Sequence, residues 1–236
     1  FEVRNSSQGD NSELNRGNTQ KSSYPSNTED LSAINPKSDS GGIDYKGRYK
    51  QKNVFDAIKA GFSMPKIPRK KIRRQIKLFT KNPEYLNRMF ERSRRYIFYV
   101  HSEVSRRKLP AELTLLPFVE SAYNPHATSR AKAAGLWQFI PATGRRYGLT
   151  QNWWSDERRS VQKATQSALD YLEYLYNLKN NDWFLALASY NWGERSVRRA
   201  IERNKRAKRN TDYLSLRMPR ETRNYIPKLL AMREII

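Results

Sequence analysis

The chain has 236 residues, with 45 Lys and Arg against 23 Asp and Glu, a formal net charge of +22 at pH 7, no Cys and two His. Absence of cysteine excludes disulfide scaffolds, thiol nucleophiles and cysteine metal sites, and His101 and His126 are too few for an ordinary zinc centre, so neither a metal nor a cofactor is expected. No apolar run approaches the roughly 20 residues that span a bilayer, and a field of this sign attracts polyanions: nucleic acid, an anionic membrane or an acidic cell wall.

The charge is unevenly placed. Residues 1–45 hold seven acidic and four basic side chains, so this stretch carries −3 while residues 46–236 carry +25. Residues 1–45 hold nine Ser, six Asn, three aromatic residues and no apolar periodicity, and residues 1–50 read as a disordered tail. The chain begins without Met and without an apolar signal core, so any secretory signal is expected to be cleaved or to lie outside this sequence.

Order is expected from about Lys52. Val54, Phe55, Ile58 and Phe62 fall at helical spacing before Gly61 and Pro65 close the stretch. A second helix follows Pro68, with Ile72, Ile76 and Phe79 on one face and Arg69, Lys70, Lys71, Arg73, Arg74 and Lys77 on the others. That basic cluster is the best sequence-level argument for a nucleic-acid surface. No groove-reading or base-stacking pattern accompanies it, so it reads as a solvated face and no specific nucleic acid is expected.

Pro83 opens a longer helix in which Tyr85, Leu86, Met89, Phe90, Tyr96, Ile97, Val100 and Val104 recur at three- and four-residue steps to about Arg107. Residues 51–108 are thus an N-terminal helical extension, and 109–236 a further, almost wholly helical domain. In that domain Pro110 opens a helix that delivers Glu120, with a kink expected at Pro117. A loop follows from Tyr123 to Gly135, and Gly135–Phe139 is the one candidate for extended chain. Later helices are expected over 141–148, 160–179, from an Asp182 cap to Tyr190 with Gly193 behind it, over 194–204, and over 220–236. The fold class is all-α.

Glu120 ends the apolar stretch Leu113–Val119 and is followed by small and polar residues. Burial there raises the carboxyl pKa, because the charged form loses its water, and a protonated acid can give its proton to a leaving oxygen. Taken alone, such a glutamate is more often a solvated helix end. Its company changes that reading. Glu120-Ser121 is followed by Asn124-Pro125-His126-Ala127-Thr128-Ser129 and Gly135-Leu136-Trp137-Gln138-Phe139, then by Ser189-Tyr190-Asn191-Trp192-Gly193 and Glu221-Thr222-Arg223-Asn224-Tyr225-Ile226-Pro227. In this order the segments resemble the motifs of the lytic transglycosylases with a goose-lysozyme-like fold, most closely the membrane-bound D type, from about Val54 to the C-terminus.

The resemblance implies a lysozyme-like catalytic domain, preceded by short helices, that cuts peptidoglycan glycan strands between N-acetylmuramic acid and N-acetylglucosamine and leaves a 1,6-anhydro ring. It also implies an exported, periplasmic or outer-membrane-associated monomer with peripheral or lipid-anchored membrane association. Glu120 would be acid and then base, Ser121 would orient the carboxyl or the sugar, and Gly135 would let the backbone approach the glycan. Gln138 would hydrogen-bond acetamido or hydroxyl groups, Tyr190 and Asn191 would line the other wall, and Tyr225 would bond Glu120 or the acetamido oxygen.

Most glycosidases use two carboxylates. No second acid is expected in the matched motifs, and Asp156, Glu157, Asp170, Glu173 and Asp182 read as caps or solvated faces, with Asp156 and Glu157 held in reserve. Substrate assistance by the acetamido group, as the resemblance implies, removes the need for a second acid. Ser189 stands where the motif usually has Ala, and Trp137 where relatives often have Met. Trp137, Trp183 and Phe184 are read as core before sugar platform. A second reading, from the charge, is a catalytically silent basic protein that binds wall polymer or nucleic acid.

Overall fold

The computed structural model describes residues 53–236; the expected tail over 1–50 lies outside the described residues. Helix α1 spans Val54–Ala60, started by the Asn53 side chain, which accepts from the Phe55 amide. Helix α2, Arg69–Thr80, follows Pro68, and α3, Pro83–Ser93, begins on an Asn82 cap. The single helix expected from Pro83 to Arg107 is two, because the chain turns at Arg94–Tyr96 before α4, Ile97–Arg106. Ser93 is buried at the break and its hydroxyl donates to the Phe90 carbonyl at 2.7 Å, a back-bond that bends helices.

The segment leading to Glu120 also differs from expectation. A 3-10 turn over Ala111–Leu115 precedes a five-residue helix α5, Leu116–Glu120, and Pro117 sits in its first turn, where no amide donor is needed. The proline therefore starts a helix instead of kinking one. Beyond it come α6 (Pro141–Arg146), a second 3-10 turn (Glu157–Arg159), α7 (Val161–Leu178), α8 (Trp183–Trp192), α9 (Glu194–Arg206) and α10 (Arg220–Ile235). Ser160 caps α7, and the Asp182 carboxylate caps α8 by accepting from Phe184 and Leu185. Gly193 ends α8 at φ 90°, a conformation that favours glycine. Among the described residues extended pairing is confined to isolated bridges: Ala134 pairs with both Thr128 and Phe139, and Gln151 pairs with Asp156. The all-α reading stands.

One apolar cluster draws on the whole described length. Ile58, Met64, Ile72, Met89 and Val100 pack with Leu113, Leu116, Phe118, Leu172, Leu187, Ile226 and Leu229, all buried; a fully buried side chain of this size contributes about 1.5–3 kcal/mol. Helix α10 runs through the middle, against α2, α8, α5 and the first 3-10 turn. At its far end the buried Glu112 carboxylate accepts from the Ser63 and Met64 amides at 3.1 and 3.0 Å and from Arg233 Nη1 at 3.1 Å. No helix of the described residues is long and apolar enough to cross a membrane.

Candidate active site

Glu120 stands at the last position of α5, where the chain reverses. Ala122 and Tyr123 both take left-handed backbone, at φ 54° and 57°, conformations that non-glycine residues adopt at local cost and that concentrate at functional sites. Tyr123 holds the reversal: its phenol donates to the Thr114 carbonyl at 2.7 Å, its amide donates to the Pro117 carbonyl, and its ring packs on Phe118. The Ser121 hydroxyl donates to the Leu136 carbonyl at 2.8 Å, tying the end of α5 to the next motif.

That motif is a tight loop over Ala134–Phe139. Gly135 has φ 84°, and a Cβ there would stand 1.7 Å from the Arg158 carbonyl oxygen. Its missing side chain thus admits protein backbone, where approach to a glycan was expected. Arg158 fastens the loop, donating to the Lys132 and Phe139 carbonyls while paired with Asp156. Trp137 is core: it is fully buried and its indole donates to the Thr165 hydroxyl at 2.9 Å. Trp183 and Phe184 are partly buried against the core, whereas Trp153 and Trp154 are exposed.

A cavity of about 540 Å³ opens over these elements, lined by Glu120, Gln138, Tyr190, Asn191 and Tyr225, so five of the seven expected site residues meet there. Ser121 and Gly135 do not line it. From α10, Tyr225 donates its phenol proton to Glu120 Oε1. The Glu120 carboxyl is pushed up to about 7, first by burial, then by the nearby Glu221 charge; the Tyr225 hydrogen bond and the Lys228 charge pull the other way. Glu120 keeps some surface toward the cavity, yet the crowding of its carboxyl by protein atoms on the other sides sets the direction of the shift. On the opposite wall, the Tyr190 phenol donates to the Trp137 carbonyl at 2.8 Å, and its ring leans on Tyr171.

The two amides in the cavity are complementary. Gln138 uses Nε2 to donate to the Gly135 and Ala127 carbonyls, and no described residue donates to its Oε1. Asn191 accepts from the Thr222 hydroxyl at Oδ1, which assigns its amino group to the free side. One offers an acceptor and the other a donor.

Several lining residues escaped the sequence reading. Glu221 and Lys228 share the cavity with Tyr225, and their spacing, four before and three after it on one helix, is the signal that finds them. Glu221 corrects the view that the matched motifs hold no second acid. The two reserve acids are engaged elsewhere: Asp156 pairs with Arg158 and Glu157 with Lys163. Asp170 and Glu173 both hold Arg107, and Asp182 is a cap. Tyr171 and Thr143 also line the cavity, and nothing local in the sequence marks them. Among the described residues no group of three metal-ligating side chains occurs.

Residues 100–213 match the family model described as the transglycosylase SLT domain. The chain carries a transglycosylase SLT domain. It is also 45% identical, over 183 residues, to the membrane-bound lytic murein transglycosylase D of Escherichia coli (strain K12), and equally to the protein of the same name from Escherichia coli O6:H1. These alignments cover 78% of this chain and 40% of each relative, so the chain spans about two-fifths of the length of the curated relatives it matches. The SLT domain has a lysozyme-like transglycosylase fold, in keeping with the helical architecture. Its matched stretch contains Glu120, Gln138, Tyr190 and Asn191 and ends before α10, which supplies Glu221, Tyr225 and Lys228.

Proposed function

We propose that this protein is a peptidoglycan lytic transglycosylase that cleaves the β-1,4 bond between N-acetylmuramic acid and N-acetylglucosamine, without a cofactor. The single observation that carries the reading is a buried carboxyl, Glu120, pushed up to about 7 in a sugar-sized cavity. An acid with a pKa near the working pH serves in both directions. In the first step protonated Glu120 gives its proton to the bridging oxygen as the bond from that oxygen to C1 of the muramic residue breaks, and the substrate's acetamido oxygen stabilises the charge at C1. In the second, the Glu120 carboxylate takes the C6 hydroxyl proton while O6 bonds to C1. The proton returns to the enzyme and no water is consumed.

The chain's other residues hold this arrangement. Tyr225 steadies the carboxylate produced between the steps. The free acceptor of Gln138 and the free donor of Asn191 suit an acetamido N–H and C=O. Ser121 and Gly135 act on the protein side, joining α5 to the Gln138 loop and seating that loop on Arg158. The enzyme works as an exported monomer in the bacterial cell envelope, where peptidoglycan is its partner. The silent-scaffold reading is not favoured, because an acid near neutrality, its hydrogen-bond partner and two oriented amides converge in one cavity.

Digestion of purified murein sacculi, with products read by mass spectrometry, tests the proposal. Muropeptides one water lighter than hydrolase products are expected; ordinary reducing ends would assign a muramidase.

A further inference from the structure

Away from the cleft, one concentration of charge has no role in the fold. Helices α2 and α10 pack extensively on one another, and beside their contact Lys71, Arg74, Arg220, Arg223 and Asn224 line a groove of about 490 Å³. All four cations are exposed, and none forms a salt bridge with a described carboxylate. Asn224 fixes the groove between the helices: its Nδ2 donates to the Arg220 carbonyl at 2.8 Å and its Oδ1 accepts from Gln75 of α2. Like charges gathered this closely repel until an anion lies among them.

The groove and the cleft share a helix. Glu221, Tyr225 and Lys228 face the cleft from α10, while Arg220, Arg223 and Asn224 face the groove from the same turns. At about 100° per residue the two sets are neighbouring stripes, roughly a third of a turn apart. A polymer lying in the cleft therefore passes within one helix width of four cations without a partner.

We propose that this groove binds the carboxylates of the peptides carried by the glycan strand whose sugars occupy the cleft, so that the protein selects peptide-bearing strands. The inference rests on the transglycosylase reading above and names the substrate class more closely. Three of the four cations are arginines, whose planar guanidinium matches a carboxylate with two parallel hydrogen bonds. No aromatic side chain lines the groove to stack a base, and no apolar one lines it to enter a bilayer.

The test uses Lys71→Glu with Arg74→Glu, both on α2, which contributes nothing to the cleft. Activity is measured at low ionic strength on peptide-bearing glycan strands and on strands stripped of peptide by an amidase. The double variant is expected to lose about tenfold in kcat/KM on the peptide-bearing strands and nothing on the stripped ones. The wild-type advantage on peptide-bearing strands should shrink as salt rises. Equal loss on both substrates, or loss on neither, overturns the assignment, and unchanged thermal unfolding excludes misfolding as the cause. Co-sedimentation with intact and peptide-stripped sacculi reads binding separately. A wild type that binds intact sacculi better but digests neither substrate would sink the catalytic reading and keep the groove; one that binds both alike would sink the groove. A double variant that loses only its binding to phosphatidylglycerol vesicles would overturn the proposal in favour of a membrane surface.

Discussion

The Tyr225 phenol reaches the Glu120 carboxylate across 105 positions of sequence, from the second turn of the last helix to the final residue of a five-residue one. Because this hydrogen bond favours the ionised acid, it holds the Glu120 pKa below where burial alone would put it. Tyr225→Phe should therefore raise that pKa and move the alkaline limb of the pH–rate profile to higher pH. Losing a hydrogen bond to a charged group, worth about 1.5–3 kcal/mol, should also lower the maximal rate. A profile that keeps its inflection would show that the phenol acts on the substrate instead.

Glu120→Gln should lose activity by about 10²–10⁴-fold, because an amide neither gives the leaving oxygen a proton nor takes one from the C6 hydroxyl. The same change should alter stability in a pH-dependent way. The folded pKa, about 7, lies above the ordinary 4.5, so the wild-type carboxyl is harmless to the fold below pH 4.5. It becomes destabilising as pH rises from there through 7, by on the order of 2–3 kcal/mol. Thermal unfolding should find the two proteins alike near pH 4 and the variant more stable at pH 8. A variant less stable at pH 8 would contradict the raised pKa.

Glu221 lines the cavity, and its charge raises the Glu120 pKa. Glu221→Gln should shift the alkaline limb to lower pH and leave the rate on the acid side intact. If Glu221 were a second catalytic carboxylate, the variant would lose activity at every pH, and the single-acid mechanism would fall.

The cavity residues Glu120, Gln138, Tyr190, Asn191 and Tyr225 were legible in sequence through the order of the motifs that hold them. Glu120 after an apolar run, the asparagine and proline behind it, and the Gly135–Phe139 segment are read in one window, and the cap at Asp182 follows from residue type and spacing. What sequence reasoning missed is set by tertiary contact. Ser121 and Gly135 turned out to face protein, since a neighbour 15 residues on accepts the hydroxyl and a carbonyl from Arg158 fills the space beside the glycine. Glu221 was in view but unrecognised: its spacing puts it on the Tyr225 face of α10, and the packing of α10 beside α5 turns that face toward the cavity. The break at Arg94–Tyr96 escaped for a related reason: apolar spacing continues through it.

Gly135→Ala tests the loop. The Arg158 carbonyl cannot yield without disturbing the second 3-10 turn, so the added methyl should displace the Gln138 loop. The expected result is a loss of about 3 kcal/mol or more of stability, with activity reduced at all pH values. Denaturant unfolding measures the first and sacculus turbidity the second. A variant with wild-type stability would mean that the loop relaxes freely.

Glu112 bears on how far this chain can be trimmed. A chain beginning at residue 109 would keep Glu112, fully buried in the intact fold, and one of its partners, Arg233, while discarding both amides that Ser63 and Met64 supply. Each hydrogen bond to a charged group contributes about 1.5–3 kcal/mol, so losing both amides is strongly destabilising. Residues 109–236 are thus no portable cassette, and any graft of them must carry α1 and the residues up to Met64 along with it.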